Sequence, residues 1–320
     1  MKVLITRKLP DIAEKLLHKN KISTITNYSD NPISRSELVT LGSEADGIIS
    51  LLTDKIDSSV ISKLKNCKII ANYAVGYNNI DIKAANEKKI IVTNTPGILT
   101  DATADLAIAL LLACARRIVE SDNFLRNGKF KGWEPELLLG IELRGKTLGI
   151  IGAGRIGQAT AVRAKAFGMN IIYTNRTRKP DFQKITNAEK VSLNKLLIKS
   201  DFVSLHLPLT SETNQLMNKE KLELLKPDAV LINTARGEII DENYLVKMLI
   251  SRRIFAAGFD VYINEPKVNK KLLQIKNAVL LPHIGSATIE ARNNMAELAA
   301  KNVINVLKGK TPLTPVNFGT

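Results

Sequence analysis

Short apolar runs and helical patterns alternate along almost the whole chain. Val3-Leu4-Ile5 and residues 47–51, 68–71 and 90–92 are runs whose length predicts strands, and 11–18 has the spacing of a helix. A long helical stretch follows over 102–126. Leu106, Ala109, Leu110 and Ala113 recur there at helical spacing, and Asn127-Gly128 marks a stop. Strands recur at 147–151, 170–173, 202–206, 229–233, 255–258 and 279–281, with a helix over 158–167 after the first of them. A last helix is predicted over 288–308. Strands separated by helices build βαβ units, so the pattern predicts an α/β chain of two doubly wound parallel-sheet domains. The last helix follows the second set of strands and is expected to pack back on the first domain. The expected domains are residues 1–98 with 288–320, and residues 99–287, with hinges near Pro96-Gly97 and Gly285-Ser286.

Composition leaves that picture standing. A length of 320 residues fits two domains, and 45% hydrophobic with 24% charged residues excludes the disordered, collagen-like and disulfide-scaffold classes. Charge raises a rival. Lys and Arg number 46 against 31 Asp and Glu, and the resulting +15 invites a nucleic-acid or anionic-membrane surface. A dispersed surface bias is the other reading. Part of the excess is local, because residues 152–180 hold six basic residues and no acidic one. The apolar run 106–115 is about half a membrane span and reads as a buried helix face. Residues 1–10 do not read as a signal peptide. Cys67 and Cys114 form no CxxC pair, so the cytoplasm is the expected compartment. Neither a metal site, a membrane nor a nucleic-acid partner is expected.

Gly152-Ala153-Gly154-Arg155-Ile156-Gly157 fits GxGxxG, directly after an apolar strand and opening a helix. In that setting the glycines permit a tight turn and close backbone approach, and the helix N-terminus offers amides and a positive dipole to a pyrophosphate. The acidic residue expected about 20 positions on, for a ribose 2′-hydroxyl, is absent. The second strand ends instead in Asn175-Arg176-Thr177-Arg178-Lys179. Guanidinium groups there bind a 2′-phosphate that a carboxylate would repel, so NADPH is the preferred cofactor, with NADH possible. In the plainer alternative Arg178 and Lys179 are solvated and Arg176 stacks on adenine.

A dehydrogenase of 2-keto acids needs a carboxylate anchor, polarisation of the carbonyl and a proton donor. Only three histidines exist. His18 lies in a charged helix and reads as a surface residue. His206 ends a strand before Pro208 and reads as structural or cofactor-lining. His283 follows the strand at 279–281. Arg236 follows the strand at 229–233, and Asp260 and Glu265 follow the strand at 255–258. Three successive strand ends thus deliver an Arg, acids and a His to one edge, where ligands bind in such sheets.

Several segments together resemble the D-isomer-specific 2-hydroxyacid dehydrogenases over nearly the full length. They are Gly149 through Gly157, Leu231 through Gly237, Gly258-Phe259-Asp260-Val261, Glu265-Pro266 and Pro282-His283-Ile284-Gly285-Ser286. Trp133-Glu134-Pro135, Leu138-Leu139-Gly140 and the basic strand end make the chain look most like the glyoxylate/hydroxypyruvate reductases. Phe259, where Leu is commoner, and Ile263-Asn264, where acids are commoner, depart from the pattern. The resemblance implies a Rossmann-type cofactor domain and a flavodoxin-like substrate domain. It implies that Arg236 binds the substrate carboxylate and keto oxygen, that His283 is the acid/base, and that Glu265 holds His283 and favours its protonated form. It also implies that backbone amides of Val75 and Gly76 bind the carboxylate, with Trp133 and Ser286 as further substrate contacts. Thr234 and Gly285 line the nicotinamide half, Ala235 and Asp260 complete the cofactor set, and Pro208 lies on the adenosine side. Trp133 reaches toward a partner's substrate site, which implies a homodimer built on the 102–126 helix. The activity implied is reduction of glyoxylate or hydroxypyruvate by NAD(P)H. A related enzyme such as phosphoglycerate dehydrogenase, a cofactor-sensing binding protein on the same fold and a duplex-DNA binder are the alternatives.

Overall fold

In the computed structural model residues 1–317 are described. They form two compact units, Met1–Leu99 with the segment from Ser286 onward, and Thr100–Gly285.

The first unit holds β1 (Lys2–Ile5), β2 (Ser23–Thr26), β3 (Gly47–Ser50), β4 (Ile69–Asn72) and β5 (Ile91–Thr93). They lie in the order β2-β1-β3-β4-β5, all parallel, which is the flavodoxin-like winding. Every residue of β3 and β4 is buried, as continuous apolar runs require of strands covered on both faces. β2 is not among the strands the sequence predicts. Its Ser-Thr-Ile-Thr carries one apolar residue, and it sits at the sheet edge paired only to β1. Backbone pairing rather than side-chain burial defines it. The last helix, Ile289–Leu307, begins at Thr288, whose hydroxyl accepts from the Ala291 amide at 3.1 Å. It packs on β3, β4 and the Ile12–Lys19 helix. Beyond it, the Val316 amide donates to the Val92 carbonyl at 2.8 Å, tying the chain to β5.

The second unit holds β6 (Thr147–Ile151), β7 (Asn170–Thr174), β8 (Glu189–Lys190), β9 (Phe202–Leu205), β10 (Val230–Asn233), β11 (Ala256–Phe259) and β12 (Ala278–Leu280). The order β12-β11-β10-β9-β6-β7-β8 is the Rossmann winding with β12 added at one edge. The sequence predicts six of these strands. The seventh, β8, is a two-residue polar edge strand with no apolar run to betray it. Alternate residues of β9 and β10 feed the cores on the two faces: Phe202, Val230 and Ile232 on one, Val203, Leu205 and Leu231 on the other. Each such side chain contributes about 1.5–3 kcal/mol by burial.

The single helix expected over 102–126 is two helices, Thr100–Ala115 and Ile118–Arg126. Arg117 sits between them at φ +53°, a left-handed backbone that stops the first helix, and its guanidinium grips Glu120 with two bonds of 2.9 Å. The first helix is buried against β10, β11 and the Arg155–Ala166 helix. The second buries no residue, although Ile118, Val119 and Leu125 lie on it. Among the described residues no helix is long and apolar enough to cross a membrane.

Candidate active site

The carboxyl ends of β10, β11 and β12 carry the reactive groups of the second unit. After β10, the buried Asn233 shapes the turn. Its Oδ1 accepts from the Ala235 amide at 3.0 Å, and its Nδ2 donates to the Arg236 carbonyl at 2.8 Å. Arg236 leaves this turn largely buried, its Nη1 donating to the Ala235 carbonyl at 2.6 Å. Burial lowers its pKa, against the pull of Glu265 and Glu238. After β11, Glu265 accepts from the Tyr262 amide at 2.9 Å through Oε1. Its Oε2 lies 2.7 Å from Nδ1 of His283, which follows β12. Burial alone would raise Glu265, but the bond and charge of His283, the Tyr262 amide and Arg236 hold it below the usual carboxylate range. Among the described residues no partner meets Nε2 of His283.

The loop bearing His283 is held in an unfavourable conformation. His283 has φ +55°, a left-handed backbone that costs a non-glycine residue about 1–2 kcal/mol. Asp260, 1% exposed, supplies the restraint. Its two oxygens accept from the amides of Ile284 and Gly285, each at 2.7 Å. Burial pushes Asp260 up, opposed by those amides and by His283. Thr103 Oγ1 donates to the Gly285 carbonyl at 3.0 Å, and the Tyr262 hydroxyl to the Leu281 carbonyl at 2.8 Å. Sequence reasoning places Asp260 at the ligand-binding edge and in the cofactor set, not as a restraint on the His283 loop, and passes over Thr103 and Tyr262. Their task depends on pairing across some twenty or more residues, for which an acid at a strand end is the only local signal.

The β6 edge fits a dinucleotide. Gly152 is left-handed at φ +96°, and a Cβ there would lie 2.6 Å from the His206 carbonyl oxygen. A Cβ on Gly157 would collide with the Gly152 carbonyl. Before Gly154 no atom lies within 4 Å of an added Cβ, so the N-terminus of the helix opened by Arg155 and Ile156 faces open space. These are the three glycine roles of a pyrophosphate cradle. At the end of β7, Asn175 Nδ2 donates to the Thr177 carbonyl at 3.0 Å, and Arg176, Thr177 and Arg178 are exposed. Among the described residues neither guanidinium has a hydrogen-bond or ion-pair partner. After β10, the buried Thr234 hydroxyl has no partner either, so a donor or acceptor from a ligand is what it lacks.

His206 follows β9, with Nε2 2.8 Å from Ser204 Oγ, and burial pushes it down to about 3, so it is neutral in water near pH 7. Pro208, two residues on, accepts from Thr213 Oγ1 at 2.6 Å. His18 is exposed and meets Thr24 at 3.0 Å. Val75 and Gly76 lie in the first unit after β4, and Ser286 begins its returning segment. Trp133 is 84% exposed in the segment after the Ile118–Arg126 helix.

Residues 108–285 match the family described as D-isomer specific 2-hydroxyacid dehydrogenase, NAD binding domain. The chain is 52% identical to a glyoxylate reductase of Thermococcus litoralis over 320 residues, covering 99% of this chain and 96% of that one. A crystallised protein of Thermus thermophilus superposes with a TM-score of 0.94 at 46% identity, over 99% of this chain and 100% of that chain. An NADPH-dependent glyoxylate/hydroxypyruvate reductase of Sinorhizobium meliloti, in complex with NADP and malonate, superposes with a TM-score of 0.88 at 33% identity. That match covers 98% of this chain and 96% of the other.

Proposed function

The chain belongs to the D-isomer-specific 2-hydroxyacid dehydrogenase family, and from that premise we propose that it reduces glyoxylate or hydroxypyruvate with NAD(P)H, to glycolate or the D-hydroxy acid. The observation that carries this reading is the 2.7 Å His283–Glu265 pair, with the Arg236 charge acting on the same carboxylate. In this reading the second unit is the cofactor domain and the first the substrate domain. Arg236 binds the carboxylate and the keto oxygen, and its buried guanidinium favours negative charge developing there. Amides of Val75 and Gly76 and the Ser286 segment complete the carboxylate's contacts. His283, its Nδ1 engaged by Glu265, presents Nε2 and gives its proton to the keto oxygen. A bound nicotinamide supplies the hydride. Residues 152–157, Pro208, Thr234, Ala235, Asp260 and Gly285 hold the cofactor. Offering hydroxypyruvate and NADPH to the purified protein tests the reading by its product. D-glycerate is expected, and L-glycerate removes it, as does the absence of turnover of both hydroxypyruvate and glyoxylate with either cofactor.

The cofactor preferred is NADPH, supported by the unpaired, exposed Arg176 and Arg178 and by the absence of any acid in 152–180. Replacing both arginines by Ala is expected to raise KM for NADPH at least about ten-fold while moving KM for NADH less than about three-fold. Steady-state kinetics with both cofactors checks this, and a wild-type preference for NADH contradicts it.

The working form is a homodimer in the cytoplasm, joined through the Ile118–Arg126 helix, with Trp133 extending to the partner's substrate. Ile118, Leu125, Phe130, Trp133 and Leu139, each more than half exposed, would leave an apolar surface in water otherwise. Sedimentation is expected to give a dimer that Leu125→Asp converts to monomers. A stable, fully active wild-type monomer contradicts this.

A further inference from the structure

Three consecutive peptide groups in the first unit have their carbonyls tied back. The Ala74 carbonyl accepts from the Thr95 amide at 2.8 Å. The Val75 carbonyl accepts from Asn94 Nδ2 and the Gly76 carbonyl from Asn72 Nδ2, each at 2.8 Å. In a planar trans peptide the C=O and N–H point in opposite directions. The three anchors therefore aim the N–H groups of Val75, Gly76 and Tyr77 the other way. Among the described residues none of the three finds an acceptor, and all three residues are at least partly exposed. Unpaired amides in series are a ready receptor for a carboxylate.

The two asparagines that do the tying are themselves fixed. Asn72 is fully buried. Its second Nδ2 proton goes to Asn79 Oδ1 at 3.1 Å, and its Oδ1 accepts from Ser50 Oγ at 3.0 Å. Asn79 in turn donates to the carbonyls of Leu51 and Asp54 at 3.0 and 3.1 Å. Asn94 is held from the far end of the chain. Its carbonyl accepts from Thr314 Oγ1 at 2.6 Å, and its amide donates to the Thr314 carbonyl at 3.3 Å. Thr314 Oγ1 accepts from Asn302 Nδ2 at 2.8 Å. Asn302 is fully buried on the last helix, and its Oδ1 accepts from the amides of Leu313 and Thr314 at 2.7 and 3.1 Å. A chain of side chains thus runs from the last helix to the Val75 carbonyl.

We infer that Asn94 and Asn72 are positioning residues for the substrate carboxylate, and that the Tyr77 amide joins those of Val75 and Gly76 as a third donor to it. This rests on the proposed reduction of a 2-keto acid. Asn94 and Asn72 touch no substrate. They act by holding the peptide planes that do, so their loss weakens substrate binding and leaves proton delivery and cofactor binding alone.

The test uses Asn94→Asp, which keeps the shape but cannot donate to the Val75 carbonyl, and Thr314→Val, which frees the Asn94 carbonyl. Measured for wild type and both variants are kcat and KM for glyoxylate, inhibition by oxalate, KM for NADPH and Tm. Asn94→Asp is expected to raise KM for glyoxylate and the oxalate inhibition constant in parallel by about ten-fold or more. kcat and KM for NADPH should change less than about three-fold, with Thr314→Val showing the same split more weakly. If Asn94→Asp does not fold, the split in Thr314→Val decides. Unchanged KM in the folded variants overturns the positioning role, as does a fall in kcat together with cofactor affinity. Absence of wild-type turnover on any 2-keto acid overturns the reductase reading itself, and this inference with it.

Discussion

Replacing Arg236 by Ala is expected to lower kcat/KM for glyoxylate about a thousand-fold, roughly 4 kcal/mol of transition-state stabilisation. The size follows from where the guanidinium lies. The guanidinium is partly buried, and burial draws its pKa down. A carboxylate or developing alkoxide would therefore meet a charge already partly desolvated, on a turn fixed by Asn233. In the proposed role, two parallel bonds from one planar group would both anchor the carboxylate and steer the keto oxygen. KM rises and kcat falls together, because the bonds exist in the ground state and strengthen in the transition state. Arg236→Lys recovers only part of the loss, since an ammonium cannot make the planar pair. The fold survives, because Arg236 lies outside the cores on the sheet's two faces. Steady-state kinetics beside a melting curve checks both halves, and wild-type turnover in Arg236→Ala removes the residue from the mechanism.

Replacing His283 by Asn is expected to lower kcat about a thousand-fold with little change in KM for NADPH. Asn is the apt probe because it tolerates the left-handed backbone at this position better than other residues. The Asp260 bonds to Ile284 and Gly285 then keep the loop in place, and only the transferable proton is lost. Glu265→Gln gives a milder companion effect. The bond and charge of His283 help hold the Glu265 carboxylate below its usual range. A neutral amide keeps an oxygen for Nδ1 but gives up the charge, so kcat is expected to fall less than in His283→Asn. A folded-state pKa below the unfolded one means the Glu265 carboxylate contributes stability above the unfolded range, lost as pH falls through its folded value.

What the sequence discloses is what neighbouring residues decide together. β9 and β10 are buried throughout and stand out as apolar runs, and the GxGxxG turn is legible because its three glycines recur at fixed spacing directly after an apolar strand. β2 and β8 escape notice because edge pairing asks for backbone rather than apolar side chains. The break at Arg117 is hidden by Ile118 and Val119, which continue the apolar pattern although both are exposed. Periodicity reports an apolar face and says nothing of what covers it. In the site, Arg236, Glu265 and His283 draw attention by residue type at strand ends. Their restraints do not. Asp260 reaches across 24 residues to Ile284, and Thr314 across 220 to Asn94. Such pairs become visible only when the chain has folded.

The most direct test compares wild type and His283→Asn for glyoxylate reduction at saturating NADPH, followed by the loss of reduced nicotinamide. The account predicts rapid turnover by wild type and a kcat about a thousand-fold lower in the folded variant. A wild type that oxidises no NADPH with any 2-keto acid, or a variant within about ten-fold of wild type, would contradict it.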